Sequence, residues 1–396
     1  MTVTLADVAA RAGVSPATVS RVLSGNYPVA EATRARVLRA VDDLDYVVNG
    51  PASALAAANS DLVGILVNDI ADPFFGIMAG AIQSEMGPAV PPAADAWGPG
   101  QAPGGPQGRV ATGPAGPAPA AEKLAVVCNT NGSPERELTY LTLLQRQRAA
   151  AVVLTGSAAD GPEHTERLAA KVARLVAAGT RVVLCGRPPV AGALALTFDN
   201  RGGARRLTEH LLTLGHRRVG YIAGPAERTT TRHRLEGHLA ALAAHGLPAQ
   251  APGTQAPGTQ PGGAPAAAPE PPPLVVHGAY DRASGYDAAC ELLRREPGIT
   301  ALVAANDTVA LGACAALRDM GLSIPRDVSV TGFDDLPFSA DAAPALSTVR
   351  LPLYEAGARA GRLALGREAP PPGGVAMIRA ELMIRDSTAP PPAPGR

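Results

Sequence analysis

Pro16, Ala17, Thr18, Ser20 and Arg21 fall in a short stretch whose other residues, Val19, Val22 and Leu23, are apolar at helical spacing. A helix so divided leaves those five at its exposed N-terminal part. That is the part that meets base edges when such a helix lies in the major groove of DNA. The chemistry on offer is recognition, and the elements that would position it are legible on either side. Ser15 caps this helix, and Pro16 takes its first position, where a missing N–H costs nothing. Upstream, Thr4 caps an earlier helix with Asp7 as its acidic partner three residues on, while Val8, Ala9 and Ala12 share one face. Gly13 supplies the backbone freedom of the tight turn between them. The pair reads as a helix-turn-helix.

The composition limits what else the chain does. Its formal net charge is zero, so affinity for DNA has to come from local placement of charge. Residues 1–41 carry Arg11, Arg21, Arg34, Arg36 and Arg39 against Asp7 and Glu31, before Asp42, Asp43 and Asp45 cancel the excess. Cys128, Cys185, Cys290 and Cys314 are widely spaced, with no C-x-x-C and no histidine cluster, and three lie in apolar runs. Buried reduced thiols are expected, with no disulfide frame, metal or cofactor. Asp7 and Arg11 interrupt any apolar leader and no stretch approaches a membrane span, so a cytoplasmic protein without membrane contact is expected. No nucleophile elbow, phosphate loop or H-E-x-x-H occurs, and the adjacent carboxylates Asp334 and Asp335 have no evident nucleophile or base beside them, which argues against an enzyme.

With 396 residues there is room for two or three domains. A third helix over 30–45, with Val37, Ala40, Val41 and Leu44 at helical spacing and Tyr46 closing the core, completes a small all-α headpiece at 1–48. Residues 49–60 form a linker or hinge helix. From Leu62 onward, apolar runs at 62–67, 124–128, 151–154, 181–185, 195–198, 218–223, 274–277, 301–304 and 328–332 alternate with helical stretches. Such an alternation implies parallel sheets covered on both faces, and the number of strands implies two of them. The fold class expected is α/β: the headpiece plus a two-lobed, doubly wound parallel-sheet domain at 61–390. Lobe 1 is expected at about 61–186 and 350–368, lobe 2 at about 187–349 and 374–390. Two segments break the alternation. Residues 87–121 hold 17 glycines and prolines and include the lone Trp97, and residues 248–273 contain Ala-Pro-Gly-Thr-Gln twice in tandem. Both read as flexible surface insertions.

Taken together, these motifs resemble the LacI/GalR family of transcriptional regulators over nearly the whole chain apart from the two insertions. The resemblance rests on the run from Thr4 to Leu23 and on Asp72-Pro-Phe-Phe75. It rests equally on the segments Leu214–Pro225, Ala304–Ala313 and Val328–Asp335, in that order. It implies a periplasmic-binding-protein-like effector domain and a homodimer whose headpieces read the halves of a pseudo-palindromic double-stranded operator. Pro16, Ala17 and Arg21 match base-contacting positions: Arg21 has the donor fork for guanine, whereas Pro16 and Ala17 offer only apolar contact. Thr18 and Ser20 suit phosphates, which set register. In the hinge, Leu55 matches a minor-groove wedge with Ala52 beside it and Asn49 at the segment's start, although Gly50, Pro51 and Ser53 depart from the family's usual hinge.

For the effector, the resemblance suggests Phe74, Phe75, Arg228, Thr230, Arg234, Tyr280, Asn306 and Asp334 around a crevice beyond the strand ends. Aromatic faces stack on sugar rings, and Arg234, Asn306 and Asp334 suit vicinal hydroxyls. A sugar or sugar-like metabolite is therefore expected ahead of a purine. Asp335 reads as structural. The tail after Asp386 has no leucine heptad, so a dimer is expected ahead of a coiled-coil tetramer. The rival readings are a sugar-binding protein that does not bind DNA and a sugar-processing enzyme on the same two-lobed fold. Neither accounts for the helix-turn-helix.

Overall fold

The computed structural model describes residues 3–24, 28–44, 46, 60–87, 122–247 and 274–393. The expected hinge residues Asn49, Ala52 and Leu55, Trp97, and the two insertions apart from Gly87 lie outside these. The chain separates into two compact units, Met1–Ser60 and Asp61–Arg396.

In the first unit, helices α1 (Leu5–Ala12), α2 (Pro16–Ser24) and α3 (Glu31–Asp43) enclose a core of Val8, Val19 and Val37, all fully buried, with Ala9, Ala12 and Ala40 filling between them. Val22, Leu23, Val41, Leu44 and Tyr46 close its edges, half-buried as the periodicity requires. Thr4 and Asp7 form a reciprocal capping box. Gly13 ends α1 at φ 65°, a left-handed conformation that favours glycine.

The second unit holds two parallel sheets. The first contains β1 (Leu62–Val67), β2 (Leu124–Asn129), β3 (Ala151–Thr155), β4 (Arg181–Cys185), β5 (Leu194–Phe198) and β11 (Val375–Ile378), in the order β11-β5-β4-β3-β1-β2. Helices α4 (Pro73–Ser84), α5 (Pro134–Arg146), α6 (Pro162–Ala177) and α12 (Leu353–Leu365) cover it. The second contains β6 (Val219–Ala223), β7 (Val275–His277), β8 (Ala301–Ala304) and β9 (Ser329–Thr331), in the order β7-β6-β8-β9. Around it run α7 (Asn200–Thr213), α8 (Thr229–Ala244), α9 (Arg282–Arg295), α10 (Asp307–Asp319) and the short α11 (Phe338–Asp341). A small antiparallel pair, β10 (Thr348–Arg350) with β12 (Glu381–Met383), links the two return passages of the chain.

All nine expected strands form, within two residues of their expected ends. The division between lobes differs. Strand β5, expected in lobe 2, pairs with β4 in the first sheet, and β11 pairs with β5 beside it, so the first crossing between lobes falls at Phe198–Asn200 and not at 186/187. Strands β10, β11 and β12 lie outside the nine apolar runs of the sequence. Of the cysteines, Cys128 and Cys185 are buried, Cys290 and Cys314 are half-buried, and all four are free thiols.

Helices α9 and α10 cross at glycine. A methyl group on Gly312 would overlap the carbonyl oxygen of Arg282, and one on Gly285 would overlap that of Val309. Gly312→Ala therefore sets an overpacking cost of about 1–3 kcal/mol against a helix-propensity gain of about 1 kcal/mol. A lowered thermal midpoint is expected. An unchanged or raised midpoint would show that the helices separate without loss.

Candidate functional site

On α2, Ser15 Oγ accepts from the Thr18 N–H at 3.2 Å and lies 2.9 Å from Thr18 Oγ1, so these two hydroxyls fix the start of the helix. Pro16, Ala17, Ser20 and Arg21 are exposed, Thr18 is half-buried, and Val19 is fully buried. The capping box at Thr4 joins its backbone N–H and hydroxyl to Asp7 Oδ2 at 2.8 and 2.7 Å and lowers the Asp7 pKa through the side-chain hydrogen bond. Arg11, at the end of α1, pairs with Asp43 on α3 at 2.8 Å. The result is a short helix whose polar and small residues are presented to solvent by an apolar three-helix core.

In the second unit, both sheets reverse strand order at their first strand, at β1/β3 and at β6/β8. Ligands of doubly wound sheets bind beyond the carboxyl ends of strands at such a reversal. The residues there are Asn68 and Asp69 after β1, Gly156 and Ser157 after β3, Pro225 and Arg228 after β6, and Asn306 after β8. They face one another across a cleft of about 930 Å³, part of it open to solvent. All eight side chains expected for the effector line it.

Phe74 and Phe75 open α4, whose N-terminus is capped by Asp72 through the Phe74 N–H at 3.0 Å. Phe74 stands edge-on to Phe75 at 5.0 Å and to Phe198 at 6.4 Å, so three rings form one apolar wall. Phe75 belongs to the core as well, its ring packed against Gly156, which holds φ 75°.

Opposite this wall, Arg234 on α8 is 4 % exposed and committed on three sides. Its Nε donates to Asn200 Oδ1 at 2.8 Å, Nη1 to the Ala305 carbonyl at 2.6 Å, and Nη2 to Asp334 Oδ1 at 2.7 Å. The Phe333 ring lies under its guanidinium at 3.7 Å. Asp334 sits at φ 105°, a strained conformation for a residue with a side chain. Its backbone is clamped by the Val349 carbonyl and the Leu351 N–H, which belong to the return crossing. Burial pushes its carboxyl pKa up against the pull of Arg234, and Asp307 and Asp72 add to the rise. Asn306 spends Oδ1 on capping α10 through the Val309 N–H at 2.8 Å, which leaves its amino group as the donor. Tyr280 holds its hydroxyl 2.6 Å from Thr231 Oγ1 and packs over Gly224, and burial raises its pKa. Arg228 reaches across the cleft to donate to the Gly132 carbonyl of lobe 1, and burial lowers its pKa. Thr230 lies in the first turn of α8. Asp335 is structural: it pairs with Arg350 at 2.7 Å and Arg385 at 2.6 Å, joining the two return passages.

The sequence reading missed several lining residues. Asn68, Asp69 and Ser157 were recoverable from the rule that placed Phe74 and Phe75, because they end the strands at the reversal. Phe198 and Asn200 were hidden by the misplaced lobe boundary. Behind the wall, buried Arg187 bridges Glu137 at 2.5 Å and the Ser157 carbonyl at 3.3 Å, while Asn68 Nδ2 donates to the same carbonyl at 3.1 Å. Among the described residues no cluster of His, Cys, Asp or Glu suits a metal ion, and no helix is long and apolar enough to cross a membrane.

Comparison with known proteins agrees with this architecture. Residues 4–49 match the profile of "Bacterial regulatory proteins, lacI family". Residues 121–256 match "Periplasmic binding proteins and sugar binding domain of LacI family", and 208–388 match a periplasmic binding protein-like domain. The HTH-type transcriptional regulator MalR of Streptomyces coelicolor is 33% identical, covering 100% of this chain and 98% of MalR. The HTH-type transcriptional regulator GalR of Escherichia coli is 31% identical, covering 91% and 88%. Among solved structures, the Lac repressor dimer bound to operator and the anti-inducer ONPF superposes with a TM-score of 0.71 at 25% identity, covering 98% of this chain and 100% of that one. A complex of the transcriptional regulator CelR with cellobiose gives 0.60 at 27%, covering 97% and 99%. The chain belongs to the lacI family of bacterial regulatory proteins.

Proposed function

We propose that this regulator is a repressor that binds a pseudo-palindromic operator as a homodimer in the cytoplasm and answers to a sugar held in the cleft between its lobes. The observation that carries the reading is the convergence of Phe74, Phe75, Arg228, Thr230, Arg234, Tyr280, Asn306 and Asp334 on one cleft, in a chain that also presents Pro16, Ala17, Ser20 and Arg21 on an exposed helix. The Lac repressor neighbour is a dimer on operator DNA and the CelR neighbour holds cellobiose, which supports the dimer, the operator and the sugar alike. Base readout falls to Arg21, Pro16 and Ala17, phosphate contact to Thr18 and Ser20, with Thr4 and Ser15 at the caps. The hinge residues Asn49, Ala52 and Leu55 enter the minor groove, with Leu55 as the wedge.

Ligand works through closure. It touches both lobes, so it favours one relative lobe position over another and shifts the hinge segments. The coupling to DNA is typically about 1–3 kcal/mol and is reciprocal. Thermal unfolding of the purified chain against sugars, sugar phosphates and purines tests the effector class. A ligand at a hundred times its Kd stabilises by about 2.7 kcal/mol, and that ligand should shift operator affinity measured by fluorescence anisotropy. A stabilising ligand that leaves operator affinity unchanged would overturn the coupling.

A further inference from the structure

A second cavity adjoins the cleft, and Gly186, Phe198, Asn200 and Thr230 line both. Its walls come from both lobes. Lobe 1 supplies Arg187, directly after β4. Lobe 2 supplies Arg201 at the start of α7, and Thr229, Thr230 and His233 in the first turns of α8. Asp199 is the one carboxylate among the described lining residues.

The bonding of Arg187 is incomplete. Its side chain is 2 % exposed, and Nη2 donates to Glu137 Oε2 at 2.5 Å and to the Ser157 carbonyl at 3.3 Å. Nε and Nη1 are buried and have no acceptor among the described residues. A buried donor left unpaired has lost its water for nothing, so such groups are rare unless a ligand or ion completes them. The start of α8 offers more donors. Its N-cap residue, Arg228, makes no side-chain cap, and although the Thr229 N–H reaches the Ala158 carbonyl at 3.1 Å, the Thr230 N–H has no capping acceptor. Orphan N–H groups and the positive end of the dipole make the N-terminus of a 16-residue helix receptive to oxyanions.

The carboxylates nearby do not oppose an anion. Asp199 accepts from the Gly202 N–H at 3.0 Å through Oδ1 and from Arg206 at 3.1 Å through Oδ2. Glu137 and Glu236, the partners of Arg187 and Arg201, are not among the lining residues. Burial lowers the pKa of His233, which stands as a neutral ring able to donate one hydrogen bond.

We infer that the second cavity is an anion site, separate from the effector cleft, which takes a phosphate group between Arg187 of lobe 1 and the start of α8 in lobe 2. A phosphate group carries the charge and the several acceptor oxygens that these donors lack. It is held by both lobes, so its binding favours one relative lobe position and is felt at the operator. The site concerns a second ligand and stands whether or not the cleft takes a sugar.

Isothermal titration of the full chain without DNA, at fixed ionic strength in a chloride buffer, tests it with inorganic phosphate and with glycerol 3-phosphate. One site per chain should saturate, and the tighter probe identifies the source as the free ion or an ester. Arg201→Ala should weaken binding about five-fold or more. Arg205→Ala, equally exposed and ion-paired on the same helix but outside the cavity, should leave Kd unchanged. Arg187→Met combined with Glu137→Gln removes both charges of the buried pair together and should abolish binding; Arg201→Ala carries the test if that variant does not fold. No saturable binding of either probe overturns the inference. So does equal weakening by Arg201→Ala and Arg205→Ala, or binding unchanged in the folded cavity variants. Saturating phosphate should shift operator affinity about five-fold or more in the parent and less in Arg201→Ala. An unshifted operator affinity overturns the link between the site and the lobes.

Discussion

Arg234→Met is expected to abolish effector binding and to lower the unfolding free energy by about 3–5 kcal/mol, the range for breaking a buried ion pair by removing one partner. Arg234 and Asp334 have side chains only 5 % exposed, 2.7 Å apart. Methionine fills much of the same volume, so cavity formation is a minor part of the loss. What remains is polar: Asp334 without its cation, and the Asn200 side-chain oxygen and Ala305 carbonyl without their donors. The carboxylate has one way out. Burial already raises its pKa, so it can take up a proton and shed part of the cost. Arg234→Met combined with Asp334→Asn should therefore recover part of the stability and none of the binding. Chemical denaturation and calorimetric titration of the two variants separate these outcomes. A single variant as stable as the parent would mean that the pair contributes nothing to the fold. Retained sugar affinity would remove Arg234 from the site.

How far the site could be read in advance depended on the range of the interactions involved. Thr4, Asp7, Gly13, Ser15 and Pro16 act within three or four residues, and their capping and turn geometry follows from residue type alone. Strands β1 and β8 are continuous apolar runs, buried apart from the half-buried Leu62, so their ends were plain. Phe74, Arg234, Tyr280, Asn306 and Asp334 come from five separate segments, and only the recurrence of motifs in order brought them together. What stayed hidden depends on pairing across the chain. Strand β11 follows a glycine pair and alternates exposed with half-buried residues, and its membership of the first sheet is decided by β5, some 180 positions away. That pairing moves the crossing to Phe198–Asn200 and makes Phe198 a wall of both cavities. The φ of Asp334 is likewise set by Val349 and Leu351, and no local preference for aspartate signals it.

The largest effect expected on DNA comes from Arg21→Ala. A good bidentate contact between arginine and guanine discriminates by about 1–3 kcal/mol. A dimer on a pseudo-palindrome makes the contact twice, so the loss reaches about 2–6 kcal/mol, or about 30-fold to about 20,000-fold in Kd at 1.4 kcal/mol per decade. Arg21, expected in the N-terminal part of α2, is exposed in the last turn of that short helix, while the headpiece core is built from Val8, Val19 and Val37, so its removal should leave the fold intact. Ser20→Ala is the informative comparison, because Ser20 is equally exposed on the same helix but suits a phosphate. With an operator obtained by selection from random duplexes, anisotropy should show Arg21→Ala losing discrimination at one base pair in each half-site. Ser20→Ala should weaken every sequence by a similar factor. Sugar affinity of both variants should match the parent, since the effector cleft is built wholly from residues beyond Asp61. Operator affinity unchanged in Arg21→Ala would remove α2 as the recognition helix. A uniform loss across sequences would move Arg21 from base to backbone and leave Pro16 and Ala17 as the only reading positions, too few and too short to specify a guanine.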